Sequence, residues 1–323
     1  MPEEIFPGLY RLKIPLPESP LKFLNSYIIK GPDKNLLIDT GLNRKECLEA
    51  MQDGLAKLKV DLKKTDIFIT HLHADHFGLV AKLADKSRQV YFSRPEKELI
   101  ESFEGFDAMI VYAEHNGFPK DQLQAAMDKH PGNKYGSKWM PELSLLDDRD
   151  EIQCGAYHFQ CVTTPGHTMG HTCLYEADKK FLIAGDHILG DITPNIQCWK
   201  DNQNPLKHYL ISLDKVSALE VDLVLPGHRR LIKDHQARIR ELKEHHRNRL
   251  NEALNILEAG PLNTFQIASK MTWDLKCESW DQFPVAQKWF ATGEAISHLK
   301  YLCNEKKIVQ INEAQKTRYQ LAN

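Results

Sequence analysis

The stretch that most constrains this chain is a short apolar segment that runs directly into a cluster of histidines. Residues 67–70 read Ile-Phe-Ile-Thr, which predicts a strand buried on both faces. Strong ligand types follow at once, at His71, His73, Asp75 and His76. Gly78 then opens a predicted helix. The cluster therefore lies on a loop at the carboxyl end of a buried strand, where α/β folds commonly build their sites.

The spacing of these four side chains suggests two cations. In an extended segment His71 and His73 point to the same side, so both can bind one cation. Asp75 and His76 lie where the chain bends toward the helix and can turn to a second cation. Imidazole with carboxylate suits zinc, and also suits iron or manganese. A His-rich surface loop is the alternative, and we favour it less because so dense a His/Asp motif has a mechanism as a metal site.

Other predicted strands also end in ligand types with a glycine close by. These residues are Asp39, His167, Asp186 and His228. Asp39 has two interpretations that the spacing does not separate. It either ends its strand and caps the next helix, or it orients the metal loop.

Five motifs occur in a defined order along the chain. They are Leu-Ile-Asp-Thr-Gly at 37–41, Thr-His-Leu-His-Ala-Asp-His at 70–76, Thr-Pro-Gly-His-Thr at 164–168, Ala-Gly-Asp-His at 184–187 and Leu-Pro-Gly-His at 225–228. In this order they resemble the metallo-β-lactamase superfamily over about residues 5–232. The resemblance implies an α/β (α+β) fold, a four-layer αββα sandwich with two mixed sheets face to face and a two-metal site at one edge.

The resemblance also implies a ligand set for two divalent metal ions, with zinc favoured and iron or manganese as alternatives. The first ion takes His71, His73 and His167. The second takes Asp75, His76 and His228. Asp186 bridges the two ions. Between them a water would act as the nucleophile, and Asp75 would be the catalytic acid that orients it and relays a proton.

Two positions narrow the reaction class. Penicillin-destroying relatives usually lack an acid at position 75 or carry cysteine at position 186, whereas both are aspartate in this chain. That pattern resembles the glyoxalase-II, lactonase and phosphodiesterase branches. We therefore expect a hydrolase of a small-molecule ester, thioester or lactone. The alternative is a phosphodiesterase or endoribonuclease.

Residues 94–143 interrupt the strand pattern and predict a helical insertion. Aromatic residues and methionines are dense in it: Phe103, Phe106, Met109, Tyr112, Phe118, Met127, Tyr135, Trp139 and Met140. We favour an insertion with its own small core. The same residues could also form a lid that lines the substrate pocket, and both interpretations can hold. Residues 187–196 are expected at the pocket floor.

The chain after His228 changes character, so we predict a catalytic domain over residues 1–232 and a second domain over 233–323. Residues 234–258 predict a long charged helix that Gly260 and Pro261 end. Two helices and a hairpin follow, a winged-helix pattern that resembles the tail of the lactamase-like endoribonuclease branch. Its balanced charges do not favour nucleic-acid binding. We favour a tail that packs on the core, closes one side of the pocket or supports a homodimer.

Composition and charge restrict the kinds of partner that we expect for this chain. The formal net charge is −2, which gives no support to nucleic-acid or membrane-surface binding by bulk electrostatics. The first residues lack a basic and apolar leader, and no apolar run approaches a membrane span. The seven cysteines form no C-x-x-C pair, which is typical of reduced thiols. We expect a soluble, cytoplasmic protein with a small-molecule substrate.

Overall fold

The computed structural model describes residues 1–103, 105–135, 141–274, 277–313 and 316–322, so Trp139 and Met140 of the predicted insertion lie outside the described residues. Contacts divide the chain into two compact units. The sheet unit comprises Met1–Ser102, Pro131–Pro194 and Ser212–Arg238. The helical unit comprises Phe103–His130, Asn195–Ile211 and Ile239–Asn323.

The first sheet of the sheet unit has seven strands in chain order. They are β1 Glu3–Phe6, β2 Leu9–Pro15, β3 Phe23–Lys30, β4 Asn35–Ile38, β5 Thr65–Phe68, β6 Val90–Ser93 and β7 Ser144–Leu146. Strands β1 to β4 pair antiparallel, and β4 to β7 pair parallel. The parallel half brings the carboxyl ends of β4 and β5 to one edge, which is where Asp39 and the histidine cluster follow.

The second sheet has five strands in the order β12-β11-β10-β9-β8. They are β8 Glu151–Cys154, β9 Tyr157–Thr163, β10 Thr172–Glu176, β11 Phe181–Gly185 and β12 Leu223–Pro226. Only β11 and β12 among them pair parallel. Their carboxyl ends therefore lie together and carry Asp186 and His228.

The two sheets pack face to face, and β5 shows why the strands are so apolar. Phe68 lies in the core between the sheets with Phe159 and Phe181. Ile67 points to the opposite face and packs with Met51 of the first helix. Both side chains are buried, because alternate strand residues face opposite sides of a sheet that is covered twice. The predicted burial of this strand on both faces is confirmed.

The helices follow the strands in chain order. They are α1 Lys45–Lys57, α2 Ala74–Phe77, α3 Val80–Leu83, α4 Arg94–Glu101, α5 Asp107–His115, α6 Lys120–Asp128, α7 Pro131–Tyr135, α8 Pro205–Ser217, α9 His235–Leu257, α10 Thr264–Lys270 and α11 Val285–Asn304. Leu62–Lys64 and Trp280–Gln282 form 3-10 turns. None of the helices in the described ranges is long and apolar enough to cross a membrane.

The predicted insertion does form helices, but it does not build a core of its own. Buried residues of α5 and α6 pack with Trp289 of α11 in one cluster. Phe118 lies against that indole, with ring centroids 5.6 Å apart. Short helices bury too little apolar surface alone, so the insertion shares its core with the C-terminal part of the chain. Its first helix, α4, belongs to the sheet unit instead.

The C-terminal helices lie where the sequence predicts them, and β13 Ile308–Glu313 pairs antiparallel with β14 Lys316–Leu321 as the predicted hairpin. An Asn263–Gln266 capping box starts α10. Assignment of these elements to a winged helix stays a prediction, as does the division at residues 232 and 233. The contacts themselves follow a different grouping, because residues 103–130 and 195–211 pack with the C-terminal helices.

Candidate metal centre

The structure brings all seven sequence-predicted ligands together, and we call them the candidate metal centre. His71 and His73 follow β5, Asp75 and His76 lie on α2, and His167 lies between β9 and β10. Asp186 directly follows β11, and His228 lies two residues after the end of β12. Each side chain thus sits at or just beyond a strand end of one of the two sheets.

Within the centre, potential ligand atoms form three overlapping groups. The groups are His71, His73 and His167; His71, His76 and Asp186; and Asp75, His76 and His228. In each group the ligand atoms lie within 4.8 Å of one another. Three nitrogen or carboxylate donors at this spacing can converge on one cation. The first group contains only histidines, and we call it the three-histidine group; the last is the mixed group.

Asp186 lies between the three-histidine group and the mixed group. Its Oδ2 atom is 3.6 Å from Nε2 of His167 and 3.5 Å from Nε2 of His228. Its Oδ1 atom is 3.5 Å from Nε2 of His76. One carboxylate therefore approaches histidines of the three-histidine group and of the mixed group, which is the geometry a bridging ligand requires.

Hydrogen bonds on the far side of two of the rings aim their ligand nitrogens inward. His76 Nδ1 lies 2.7 Å from Oδ2 of Asp39, and His228 Nδ1 lies 3.0 Å from the carbonyl oxygen of Phe23. These acceptors assign the proton to Nδ1 in both rings, so the Nε2 lone pairs face the centre. Metal-binding histidines commonly have this arrangement.

The inward atoms fit a bound cation. Nε2 of His71, His76 and His228 and Oδ1 of Asp186 are buried and make no hydrogen bond to the described residues. A buried polar atom without a partner is costly, and here several such atoms converge. Imidazole nitrogens with carboxylate oxygens are the donors that zinc prefers. The residues present therefore fit divalent metal ions.

The electrostatics of the two groups differ. Burial, together with the neighbouring imidazoles, lowers the pKa of His71 well below its usual value and that of His73 to about 3. His71 and His73 therefore offer neutral ligands. Burial also opposes charge on His76, but the carboxylates of Asp39 and Asp186 raise its pKa well above the usual value. The mixed group thus attracts positive charge.

Asp39 orients the centre rather than capping a helix, which decides between the two interpretations of this residue. Besides His76, it accepts hydrogen bonds from the backbone N–H of Thr70 at 2.9 Å and from the Thr70 hydroxyl. The first residue before α1 is Arg44, not Asp39. The carboxylate of Asp39 is therefore bonded to the residue that precedes His71 and to a ligand ring.

His171 has both ring nitrogens engaged. Nδ1 lies 2.8 Å from the Thr164 hydroxyl, and Nε2 accepts a hydrogen bond from the backbone N–H of Asp186 at 3.1 Å. The ring therefore has no lone pair for a metal ion and instead positions the Asp186 backbone. Gly185 allows this approach, because a Cβ there would lie 2.7 Å from His171 Nε2.

The loop predicted as a pocket floor is held by arginines. Arg238 donates through Nε to the carbonyl of Leu189 at 2.7 Å and through Nη2 to that of Ile192 at 2.8 Å. Arg230 lies 3.2 Å from the carbonyl oxygen of Gly190. The segment after Asp186 is therefore fixed by cations bonded to its backbone. Its role in substrate binding stays a prediction.

One residue near the centre was missed by sequence reasoning. Glu96 is fully buried on α4 and bonds to backbone groups beside His71 and within the 167–171 loop. Burial raises its pKa to about 7, against the opposing effect of these hydrogen bonds. The available signal was an acid just after strand β6, at the same edge as the other ligands. The sequence interpretation had placed it in the insertion.

Comparison with known proteins gives concordant matches. The family described as the metallo-beta-lactamase superfamily matches residues 20–228. A probable metallo-hydrolase of Bacillus subtilis, YqjP, is 27% identical over 76% of this chain and 79% of its own length. A human acyl-coenzyme A thioesterase, MBLAC2, is 23% identical over 63% of this chain and 72% of its own length.

A solved structure matches nearly the whole chain. The metallo-beta-lactamase family protein TTHA1429 of Thermus thermophilus superposes with a TM-score of 0.82 at 28% identity, covering 98% of this chain and 100% of its own. The predicted mixed α/β sandwich is confirmed by this match.

Proposed function

Because the chain belongs to the metallo-beta-lactamase superfamily and is a hydrolase of it, we propose that it uses two divalent metal ions to cleave a small-molecule thioester, ester or lactone. The observation that carries this proposal is Asp186, whose carboxylate approaches both the three-histidine group and the mixed group. A single-ion site would need only one of these groups.

In this proposal His71, His73 and His167 hold one ion, Asp75, His76 and His228 hold the other, and Asp186 contacts both. Zinc is the favoured metal, since the donors are nitrogen and carboxylate oxygen. When bound, the ions would lower the pKa of a water and stabilise negative charge that develops on a carbonyl oxygen.

Asp75 has the properties of the acid and base that such a reaction needs. Its side chain is 19% exposed, compared with 8% for Asp186. One oxygen lies 3.3 Å from Nε2 of His228. Although burial opposes it, the neighbouring His76 and His228 hold the pKa of Asp75 below its usual value. As an ionised, partly accessible carboxylate, Asp75 can orient an attacking water and pass a proton to the leaving group.

The proposed substrate class rests on a known relative and on the burial of the C-terminal helix α11. Thioesters come first because an acyl-coenzyme A thioesterase is among the relatives. A nucleic-acid substrate is less favoured, because α11, the second helix of the predicted winged-helix pattern, is largely buried. Its Lys288 and Glu294 are 7% and 8% exposed, so neither can serve as an open contact to phosphates.

The test is a substrate panel with the purified protein after loading with zinc or manganese. We expect metal-dependent release of thiol or acid from thioesters or lactones, and none after chelation. Bis-(p-nitrophenyl) phosphate and RNA serve as the competing substrates. Hydrolysis of these phosphodiesters alone would contradict the proposed substrate class and favour the nuclease alternative.

A further inference from the structure

Glu96 is a buried carboxylate that is not one of the seven predicted ligands. It lies in the first turn of α4 and has no exposed surface. Its Oε2 atom accepts the backbone N–H of Leu72 at 2.7 Å. Its Oε1 atom accepts the backbone N–H of Gly170, also at 2.7 Å. Both oxygens are thus used in short hydrogen bonds, a strong arrangement for a carboxylate.

The two amides belong to the two segments that supply the three-histidine group. Leu72 lies between His71 and His73, and Gly170 lies three residues after His167. These segments are remote in sequence, and one carboxylate joins them. A shift of either segment would therefore break a hydrogen bond and leave a buried donor without its partner, which is destabilising.

The packing around Gly170 leaves little freedom for this connection to move. A Cβ at Gly170 would lie 2.6 Å from the Glu96 backbone nitrogen and 2.7 Å from Oγ of Ser93. The Ser93 hydroxyl also donates to the Gly170 carbonyl at 2.6 Å. Both polar backbone groups of Gly170 are therefore held by the segment that leads into α4.

We propose that Glu96 is a positioning residue for the three-histidine group: by bonding Leu72 and Gly170 it sets the separation of His71 and His73 from His167, and so the affinity of the ion they bind. The inference rests on the proposed function, since it assumes that these histidines bind a cation. A purely structural role for Glu96 would change stability without preference for one ion over the other.

The test is Glu96→Gln in the full chain. Glutamine has nearly the same shape but only one acceptor oxygen, so one of the two backbone N–H groups would face an NH2 donor. We expect Zn²⁺ binding by the three-histidine group to weaken by about 10–100-fold, as is usual when a residue that orients ligands is changed. Competition with a chromophoric chelator measures this affinity, and the Co²⁺ absorption spectrum reports the altered geometry.

Two backgrounds separate the ions. In His228→Ala, which removes a ligand of the mixed group, Glu96→Gln should weaken binding of the ion that remains at the three-histidine group. In His73→Ala, which removes a ligand of the three-histidine group, Glu96→Gln should leave the affinity for the ion at the mixed group unchanged. Glu176→Gln is the matched control, because Glu176 is equally buried and accepts the backbone N–H of Lys179 within a hairpin of the sheet unit. It should change stability and leave both affinities as they are.

The outcomes are distinct. Unchanged affinity in Glu96→Gln/His228→Ala, or equal weakening in both backgrounds, overturns the positioning role while the two-ion proposal stands. A wild-type chain that binds no ion at these residues overturns the proposed function itself. If Glu96→Gln does not fold, Ser93→Ala removes the hydroxyl that donates to the Gly170 carbonyl and caps α4 at the Glu96 N–H. It should weaken binding of the same ion to a smaller extent; no weakening there also contradicts the inference.

Discussion

The sheet unit and the helical unit both bury histidines whose pKa is lowered by burial, but these histidines have different partners. In the helical unit, His246 Nδ1 lies 3.1 Å from His298 Nε2, and His298 Nδ1 donates to the carbonyl of Glu294 at 2.8 Å. In the sheet unit, Nε2 of His71 is buried and makes no hydrogen bond to any described residue.

The comparison teaches that burial of histidine is not by itself a sign of a metal site. Both environments disfavour the protonated ring, since desolvation penalises charge. In the helical unit Nδ1 of His246 and both nitrogens of His298 form hydrogen bonds, and the buried Nε2 of His246 belongs to no group of three ligand atoms among the described residues. In the sheet unit several ligand atoms from separate strand ends converge on one another. Convergence of such atoms, rather than burial, carries the inference of metal binding.

Removing the carboxylate of Asp186, which we propose as the bridging ligand, should have the largest effect. We expect Asp186→Ala to lose bound metal and to lower turnover by about 1000-fold, because stabilisation by the ions contributes several kcal/mol. Elemental analysis and turnover of the same preparation check both effects. A variant that keeps the wild-type metal content would contradict the bridging role.

The control for that variant lies in the helical unit. Like Asp186, His298 is buried, and its imidazole forms hydrogen bonds with His246 and the backbone. We therefore expect His298→Ala to lower stability and to leave metal content unchanged. Loss of metal from His298→Ala would break the distinction between the two units.

The next largest expected effect is a pH-dependent change in stability that arises in the helical unit. Burial raises the pKa of Glu294 to about 7, despite the opposing effects of Arg249 and Asn195. The folded state therefore binds this proton more tightly than the unfolded state, whose pKa is near 4.5. The stabilising contribution is fully present below about pH 4.5 and is lost as the pH rises through about 7.

Glu294→Gln removes this titration and retains a group that can bond Asn195, the partner of Glu294 at 2.9 Å. Relative to the wild type, the variant should gain free energy of unfolding between pH 4.5 and pH 8, on the order of 3 kcal/mol. Urea unfolding at several pH values measures it. A stability difference that does not change with pH would show that Glu294 titrates normally.

The smallest expected effect concerns metal binding in the sheet unit. Asp39→Asn replaces the acceptor of His76 Nδ1 by an amide of similar shape, and we expect metal binding to weaken by about 10–100-fold. Asp66→Asn is the matched control, because Asp66 is also buried and accepts hydrogen bonds from Lys34 and from the Gln89 backbone. Isothermal titration with Zn²⁺ compares them, and equal affinities in the two variants would remove the orienting role of Asp39.

The identity of the clustered side chains could be predicted because all of them follow strands of the two sheets, four after β5 and one each after β9, β11 and β12. Local patterning places the ligand at the strand end, and the order of the motifs supplies the family. The core of residues 103–130 could not be predicted in this way. Phe118 packs against Trp289, a contact between residues far apart in sequence that hydrophobic patterning does not specify.

The sequence alone determined which side chains form the candidate metal centre, since ligand type and strand-end position are local properties. Only the tertiary structure decided how they are held. The proton on His76 Nδ1 depends on Asp39, and the separation of His71 from His167 depends on Glu96, which bonds Leu72 and Gly170. Such hydrogen bonds join segments through space, where sequence spacing carries no information about distance or direction.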